Sequence, residues 1–381
     1  MSQDNIHIDK DFAPRVLISG GGTGGHIFPA LAIAAAIQRR FPKADIAFVG
    51  ALGRMEMEKV PAQGYKIHGL WISGIQRKKM WKNFSLPFKV LASMQKVRKI
   101  IKEFKPDAVI GVGGYASGPL LRAAINKGIP SLIQEQNSFP GITNKILARK
   151  VGKICVAYPG MEKYFPADKL VVTGNPVRQF PELSKADKEA AYEYFGLQSD
   201  KKTMLVVGGS LGARTINQSI YQNIDKIIES QDQLLWQTGK VYFHELNEKM
   251  AAKRYDNIRM MEFIDHMHYA YAIADVVVSR AGAISISELE LMKKPIILVP
   301  SPNVAEDHQT KNARALADVD AAIMVKDIDA HDKLVNTMLG LLSDQPLQEQ
   351  LASNIAGFGK ADAADAIVDE MIKLIEKNKR K

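Results

Sequence analysis

The chain has 381 residues, of which 46% are hydrophobic and 24% charged, with a formal net charge of +10 and a single cysteine, Cys155. Its length exceeds one ordinary core and suits two domains, while one cysteine excludes an internal disulfide and a thiolate metal cluster within the chain. The opening MSQDNIHIDKDFAP lacks the apolar core of a secretory signal, and the uncharged apolar runs fall far short of the roughly 20 residues of a membrane span, so the chain reads as cytoplasmic.

The first expected strand, 16–19, runs into the glycine-rich turn GGGTGGH and a helix expected over 30–40. Gly20, Gly22 and Gly25 fit G-x-G-x-x-G, the turn that brings backbone N–H groups against a dinucleotide. Such a site also needs an acid at the end of the second strand to hold ribose hydroxyls. The second strand is expected over 46–49, and the nearest acid, Asp45, precedes it, so the dinucleotide reading loses most of its support. His26 closes the turn, where an imidazole can share a proton with a hydroxyl or make a helix-start hydrogen bond.

The charge excess lies between Lys66 and Lys105, where eleven Lys or Arg meet one acid, Glu103; eleven minus one equals the +10 of the whole chain. Trp71, Ile72, Ile75, Met80, Trp81, Phe84, Leu86 and Phe88 are interleaved with these cations. Further strands are expected over 108–112, 131–134, 154–157 and 170–173, with a second glycine loop, GVGGYASG, after the first of them.

In TGNPVRQFPEL, 173–183, a glycine and two prolines interrupt the pattern, which marks the join between domains. Beyond a polar segment, 182–194, strands are expected over 204–207, 234–237, 258–261, 276–279, 296–299 and 322–325. Strands alternating with helices twice over argue for two doubly wound parallel α/β domains, with ligands at the carboxyl ends of the strands. The third glycine loop, GGSLGA, follows the first strand of the second set; each such loop is either an anion site at a helix start or a tight turn. Glu288 falls in the first turns of a helix after Gly282, where it can take two ribose hydroxyls or complement the helix dipole. His308 and Gln309 are expected just before a helix, with Asn312 one turn along. Asp318, Asp320, Asp327 and Asp329 form two Asp-x-Asp pairs, read as turns and surface, and no metal constellation stands out. Arg178, in NPVR, is the cation available for a diphosphate. The segment 348–377 has a helical apolar rhythm at Leu351, Ile355, Ile367, Met371 and Ile375.

Eight segments carry a resemblance: GGTGGHIFPALAIA, GVGGYASGP, QEQNSFPGITNKILA, TGNPVR, VVGGSLGARTIN, EFIDHM, ADVVVSRAGAISISEL and DHQTKNA. Over about residues 15–320 their order and spacing resemble the MurG-like lipid-linked N-acetylglucosaminyltransferases of glycosyltransferase family 28. The resemblance implies the GT-B fold, two Rossmann-like domains facing across a cleft. Residues 1–178 would be an acceptor-binding, membrane-facing domain, 179–347 a UDP-sugar domain, and 348–381 a closing helix packed back on the first.

The resemblance also implies an inverting hexosyltransferase. Such an enzyme moves N-acetylglucosamine from UDP-N-acetylglucosamine to the 4-hydroxyl of the muramoyl group of undecaprenyl-diphospho-MurNAc-pentapeptide, lipid I. The product is lipid II, for peptidoglycan synthesis. It implies no tightly bound cofactor and no metal site, and a peripheral position on the cytoplasmic face of the inner membrane. Other cell-wall synthesis or division proteins are implied as further partners, and nucleic acid is not.

Residue by residue, Thr23, Gly24 and Gly25 match the first-domain loop facing the donor, and His26 its neighbouring histidine, a catalytic or substrate-positioning group and the choice for the base. Asn137 and Arg178 match donor-site positions, Ser210 the diphosphate contact, and Ile264 a backbone position beside uracil. Ala283, Ile284, Ser285, Ile286, Ser287 and Glu288 match the uridine segment, with Glu288 on the ribose, and Gln309 matches the contact to the sugar hydroxyls. Trp71, Ile75, Lys78, Lys79, Trp81, Phe84 and Tyr115 are assigned to the membrane or acceptor. Two rivals stay open: a UDP-N-acetylglucosamine 2-epimerase, and a membrane-associated module that binds UDP-sugar without turnover.

Overall fold

The computed structural model describes residues 12–74, 84–177, 183–209, 211–253, 255–304 and 307–380. The chain divides into two compact units, 1–177 with 360–381, and 178–359.

The first unit runs β1 (Arg15–Gly20), α1 (Gly24–Arg40), β2 (Asp45–Ala51), α2 (Glu56–Lys59), β3 (Lys66–Leu70), α3 (Leu86–Phe104), β4 (Ala108–Gly113), α4 (Ser117–Asn126), β5 (Ser131–Glu135), α5 (Ile142–Leu147), β6 (Lys153–Val156) and β7 (Leu170–Val172). Its seven strands pair in the order β3-β2-β1-β4-β5-β6-β7, all parallel. A parallel strand covered on both faces must be apolar throughout. Val16, Leu17 and Ile18 are accordingly fully buried, each side chain contributing about 1.5–3 kcal/mol.

The second unit runs α6 (Lys185–Phe195), β8 (Thr203–Val207), α7 (Arg214–Gln222), α8 (Ile224–Ser230), β9 (Gln233–Gln237), α9 (Phe243–Met250), β10 (Ile258–Met261), α10 (Met267–Ile273), β11 (Val276–Ser279), α11 (Ala283–Met292), β12 (Ile296–Leu298), α12 (His308–Ala317), β13 (Ile323–Met324), α13 (Ala330–Ser343) and α14 (Gln345–Ala356). Its six strands pair in the order β10-β9-β8-β11-β12-β13, again all parallel. Ser184 opens α6 with a reciprocal cap, its hydroxyl accepting from Asp187 N–H while the Asp187 carboxylate accepts from Ser184 N–H.

The chain then returns to the first unit as α15 (Ala363–Lys379). Ile367, Val368, Met371, Ile372 and Ile375 of this helix share one apolar cluster with Val16, Ile18, Ile33, Ile37, Leu132 and Cys155. Arg39 and Arg40, in the last turn of α1, pair with Asp365 and Asp369 of α15. The range 348–381, read from sequence as a closing helix, therefore holds the end of α14 in one unit and all of α15 in the other.

All twelve strands expected from sequence are present, and β3 is an additional edge strand. α1 begins at Gly24 rather than residue 30, with Pro29 inside it. Proline lacks the bond to the carbonyl four residues back and its ring crowds that carbonyl, but here both effects fall on Gly25, in the first turn of the helix.

Candidate active site

The order of strands reverses between β1 and β4 in the first unit and between β8 and β11 in the second. Loops at the carboxyl ends of such neighbouring strands diverge to opposite faces and leave room for a ligand. The first-unit site residues cluster on one of these reversals. Gly22 has φ +85°, and Thr23 is extended before α1 begins at Gly24. A Cβ on Gly114, after β4, would lie 2.3 Å from the Gly21 carbonyl oxygen, so the β1 and β4 loops touch backbone to backbone. His26 lies on this seam: its Nδ1 is 3.1 Å from the Gly21 carbonyl and 3.3 Å from Thr23 Oγ1. A Cβ on Gly113 would be 2.7 Å from His26 Nε2. Tyr115, half exposed, sets its ring between Gly22 and Gly74.

Two buried acids that the sequence reading did not single out hold this region. Glu56, 1% exposed, accepts from Gly22 N–H at 2.9 Å and from Ala51 N–H at 3.0 Å, joining the loop after β1 to the end of β2. Glu135, at the end of β5, accepts from Asn137 N–H and Nδ2 through one oxygen, at 3.1 and 3.2 Å. Its other oxygen accepts from Gly141 N–H and Asn144 Nδ2, at 3.0 and 2.9 Å. Asn137 is thereby fixed. Gln136 Nε2 donates to the Val112 carbonyl at 2.7 Å, tying this segment to the end of β4. Asn175, beyond β7, joins the same buried network through Gln134 Nε2 and the Gln136 carbonyl.

In the second unit the loop after β8 packs on the loop after β9, where a Cβ on Gly239 would stand 2.1 Å from Gly212 N. Asn217 of α7 donates to the Thr238 carbonyl and accepts from Trp236 Nε1, locking β9 and the loop after it to the helix. Ile264 is buried and its N–H donates to Gln237 Oε1 at 2.9 Å. A polar contact at this position would therefore use the Ile264 carbonyl.

Gly282 caps α11, so Ala283, Ile284 and Ser285 form its first turn, with Ile286, Ser287 and Glu288 following. Ile286, Ser287 and Glu288 are buried, and Tyr271 Oη of α10 donates to Glu288 Oε2 at 3.2 Å. Burial pushes the neighbouring Glu290 carboxyl up to about 7, opposed by a hydrogen bond from Ser287.

His308 and Gln309 lie in the first turn of α12 rather than before it. Gln309 Oε1 accepts from Ser301 N–H at 2.9 Å, which leaves its amide to donate, and Asn312 Nδ2 reaches the Ala281 carbonyl. Asp327 is not the surface residue expected. It pairs with the half-buried Arg280, which also holds the Val299 and Pro300 carbonyls, and accepts from Thr215 Oγ1 at 2.9 Å, tying the start of α7 to the loop after β11.

Arg178 and Ser210, and Ile75, Lys78, Lys79 and Trp81 of the membrane assignment, lie outside the described residues. Of the rest of that assignment, Trp71 is half exposed with Lys89 Nζ 5.6 Å from its ring centroid, and Phe84 is 84% exposed. On α3, Phe88, Val90 and Leu91 are also exposed, while Arg98, Lys99 and Lys102 line a groove with Asn126 and Lys127 beside α4. No helix among the described residues is long and apolar enough to cross a membrane. Among the described residues no group of three or more His, Cys, Asp or Glu could hold a metal ion.

Two doubly wound parallel units, each with glycine loops at its strand reversal, are the architecture of two-domain glycosyltransferases. The chain belongs to glycosyltransferase family 28: the family's N-terminal domain profile matches residues 16–156 and its C-terminal domain profile residues 203–367. The UDP-N-acetylglucosamine--N-acetylmuramyl-(pentapeptide) pyrophosphoryl-undecaprenol N-acetylglucosamine transferase of Parabacteroides distasonis is 56% identical over 95% of this chain and 99% of its own. The crystal structure of Acinetobacter baumannii MurG is similar at a TM-score of 0.76 and 30% identity, over 94% of this chain and 99% of its own. The UDP-GlcNAc 2-epimerase of Neisseria meningitidis shares the fold at a TM-score of 0.65, with 13% identity over 94% of this chain and all of its own.

Proposed function

We propose that the chain transfers N-acetylglucosamine from UDP-N-acetylglucosamine to the muramoyl 4-hydroxyl of undecaprenyl-diphospho-MurNAc-pentapeptide, forming the disaccharide-linked lipid II. The observation that carries this reading is the 56% identity to the named transferase over nearly the whole of both chains. A 13% identity to an epimerase supports only a shared fold.

In this reading the acceptor oxygen attacks the anomeric carbon as the bond to UDP breaks, which inverts that carbon. His26 takes the hydroxyl proton, a role suited to an imidazole whose ordinary pKa lies near neutrality. Ser210, Arg178 and the start of α7 stabilise the departing diphosphate. Glu288 binds the ribose diol, the Ile264 carbonyl faces uracil, and Gln309 donates to a sugar hydroxyl. Thr23, Gly24, Gly25 and Asn137 complete the donor contacts. No protein-bound metal has a part in this scheme.

The acceptor carries a polyprenyl tail, and the exposed Trp71, Phe84, Phe88 and Leu91 beside the cations of α3 suit an anionic membrane surface. Each cation near such a surface contributes about 1 kcal/mol. This supports a peripheral position on the cytoplasmic leaflet.

The test is to incubate the protein with UDP-N-acetylglucosamine and a short-chain lipid I analogue, following UDP release and the disaccharide by mass spectrometry. Acceptor-dependent disaccharide is expected. UDP-N-acetylmannosamine formed without acceptor would identify an epimerase, and nucleotide binding without product would identify a binding module.

A further inference from the structure

The peptide group joining Gly21 to Gly22 has both of its polar atoms held by side chains. Its N–H donates to Glu56 Oε2 at 2.9 Å, and its carbonyl oxygen lies 3.1 Å from His26 Nδ1. The other carboxylate oxygen is anchored by Ala51 N–H, so Glu56 cannot turn without losing a bond inside the core. A carbonyl only accepts, so the contact with His26 requires the proton on Nδ1. The neutral imidazole then carries its lone pair on Nε2.

We infer that Glu56 sets the tautomer and ring position of His26 through the Gly21–Gly22 peptide. The carboxylate polarises the peptide from its N–H end and makes its carbonyl a stronger acceptor, as one hydrogen bond reinforces the next in a chain. The result resembles the carboxylate–histidine pair of a hydrolase triad, with a backbone amide inserted between the partners. Glu56 touches no reacting atom and is a positioning residue. The catalytic consequence rests on His26 being the base, whereas the tautomer does not.

The glycines around the relay are explained by it. A Cβ on Gly21 would fall 2.2 Å from Glu56 Oε1 and displace the carboxylate. Those on Gly114 and Gly113 would meet the Gly21 carbonyl and the imidazole at 2.3 and 2.5 Å. Thr23 competes for His26 Nδ1. Thr23 Oγ1, 3.3 Å from Nδ1, could donate to a bare nitrogen and leave the proton on Nε2, with the Gly21 carbonyl losing its donor.

Long-range proton–nitrogen correlation spectra of the full-length protein, at a pH where His26 is neutral, decide between them. The expected result is a protonated Nδ1 and a bare Nε2, retained in Thr23→Val; a protonated Nε2 in the wild type overturns the relay. In Glu56→Gln, which loses the charge and one of two acceptors, the Nε2–H form should become populated. Its kcat with the lipid I analogue should fall about tenfold while KM for UDP-N-acetylglucosamine stays within about twofold. An unchanged tautomer in a folded Glu56→Gln overturns the proposal. A changed tautomer with unchanged kcat sustains the relay and removes His26 from the role of base. If Glu56→Gln does not fold, a protonated Nε2 in the wild type or in Thr23→Val still overturns the proposal.

Discussion

Tyr271 donates its hydroxyl to Oε2 of Glu288 at 3.2 Å, with both side chains buried between α10 and α11. A carboxylate that must meet a ribose diol in one orientation gains from a partner that fixes its plane. Tyr271→Phe should raise KM for UDP-N-acetylglucosamine about threefold to tenfold with kcat nearly unchanged, whereas Glu288→Ala should lose donor binding by a larger factor. Calorimetric titration with UDP checks both. Equal affinity in the wild type and Tyr271→Phe would remove the tyrosine from this role.

Glu135 gathers four N–H donors from Asn137, Gly141 and Asn144. Removing the acceptor strips four donors of this partner, one of them, Asn144 Nδ2, buried, so Glu135→Ala should cost about 3 kcal/mol. Thermal unfolding of the first unit should then begin about 10 °C lower. A midpoint within a degree of the wild type would show that the loop relaxes onto water.

Glu290 differs in kind, because burial raises its carboxyl from 4.5 to about 7 and one of its oxygens, Oε1, has no hydrogen-bond partner. Between those two values the folded state holds a proton that the unfolded state has released. Stability therefore falls as pH rises from about 4.5 to about 7, then levels off, with an upper bound of about 3 kcal/mol. Glu290→Gln removes that dependence and should be the more stable protein at pH 8. Urea unfolding at pH 5 and pH 8 tests the sign: a wild type that gains stability over this range relative to Glu290→Gln would contradict it.

Phe88 and Leu91 stand exposed on α3, which also bears Arg98, Lys99 and Lys102. Leu91→Glu should weaken binding to phosphatidylglycerol vesicles about tenfold or more, and wild-type binding should itself weaken as salt is raised. Co-sedimentation measures both. Binding indifferent to the substitution and to salt would rule out this surface.

Much of the fold was legible because parallel strands are buried on both faces and stand out as apolar runs. β3 did not, since it is an edge strand in which Lys66 and His68 alternate with Ile67 and only Gly69 and Leu70 are buried. The start of α1 was hidden by Pro29, which ends a helix in most settings and here costs one bond near the first turn. The loops, and the position of Glu288 near the start of α11, were legible through motifs with a mechanical reason for their spacing. Glu56 and Glu135 were not. Their partners are mostly backbone N–H groups, and for Glu56 they come from a different strand end, so no side-chain pattern announces them. Asp327 was misread because its partner, Arg280, is 47 positions away and meets it only in the folded unit.

The second unit occupies 178–359, between the two parts of the first. The sheet from β1 to β7 leaves the ribosome early, but α15, which covers one of its faces, is made only after the entire second unit. The nascent first unit thus waits with an apolar flank of Val16, Ile18, Leu132 and Cys155 lacking that cover. The unit begun first is the last to be finished, and this interval is when a chaperone would matter most.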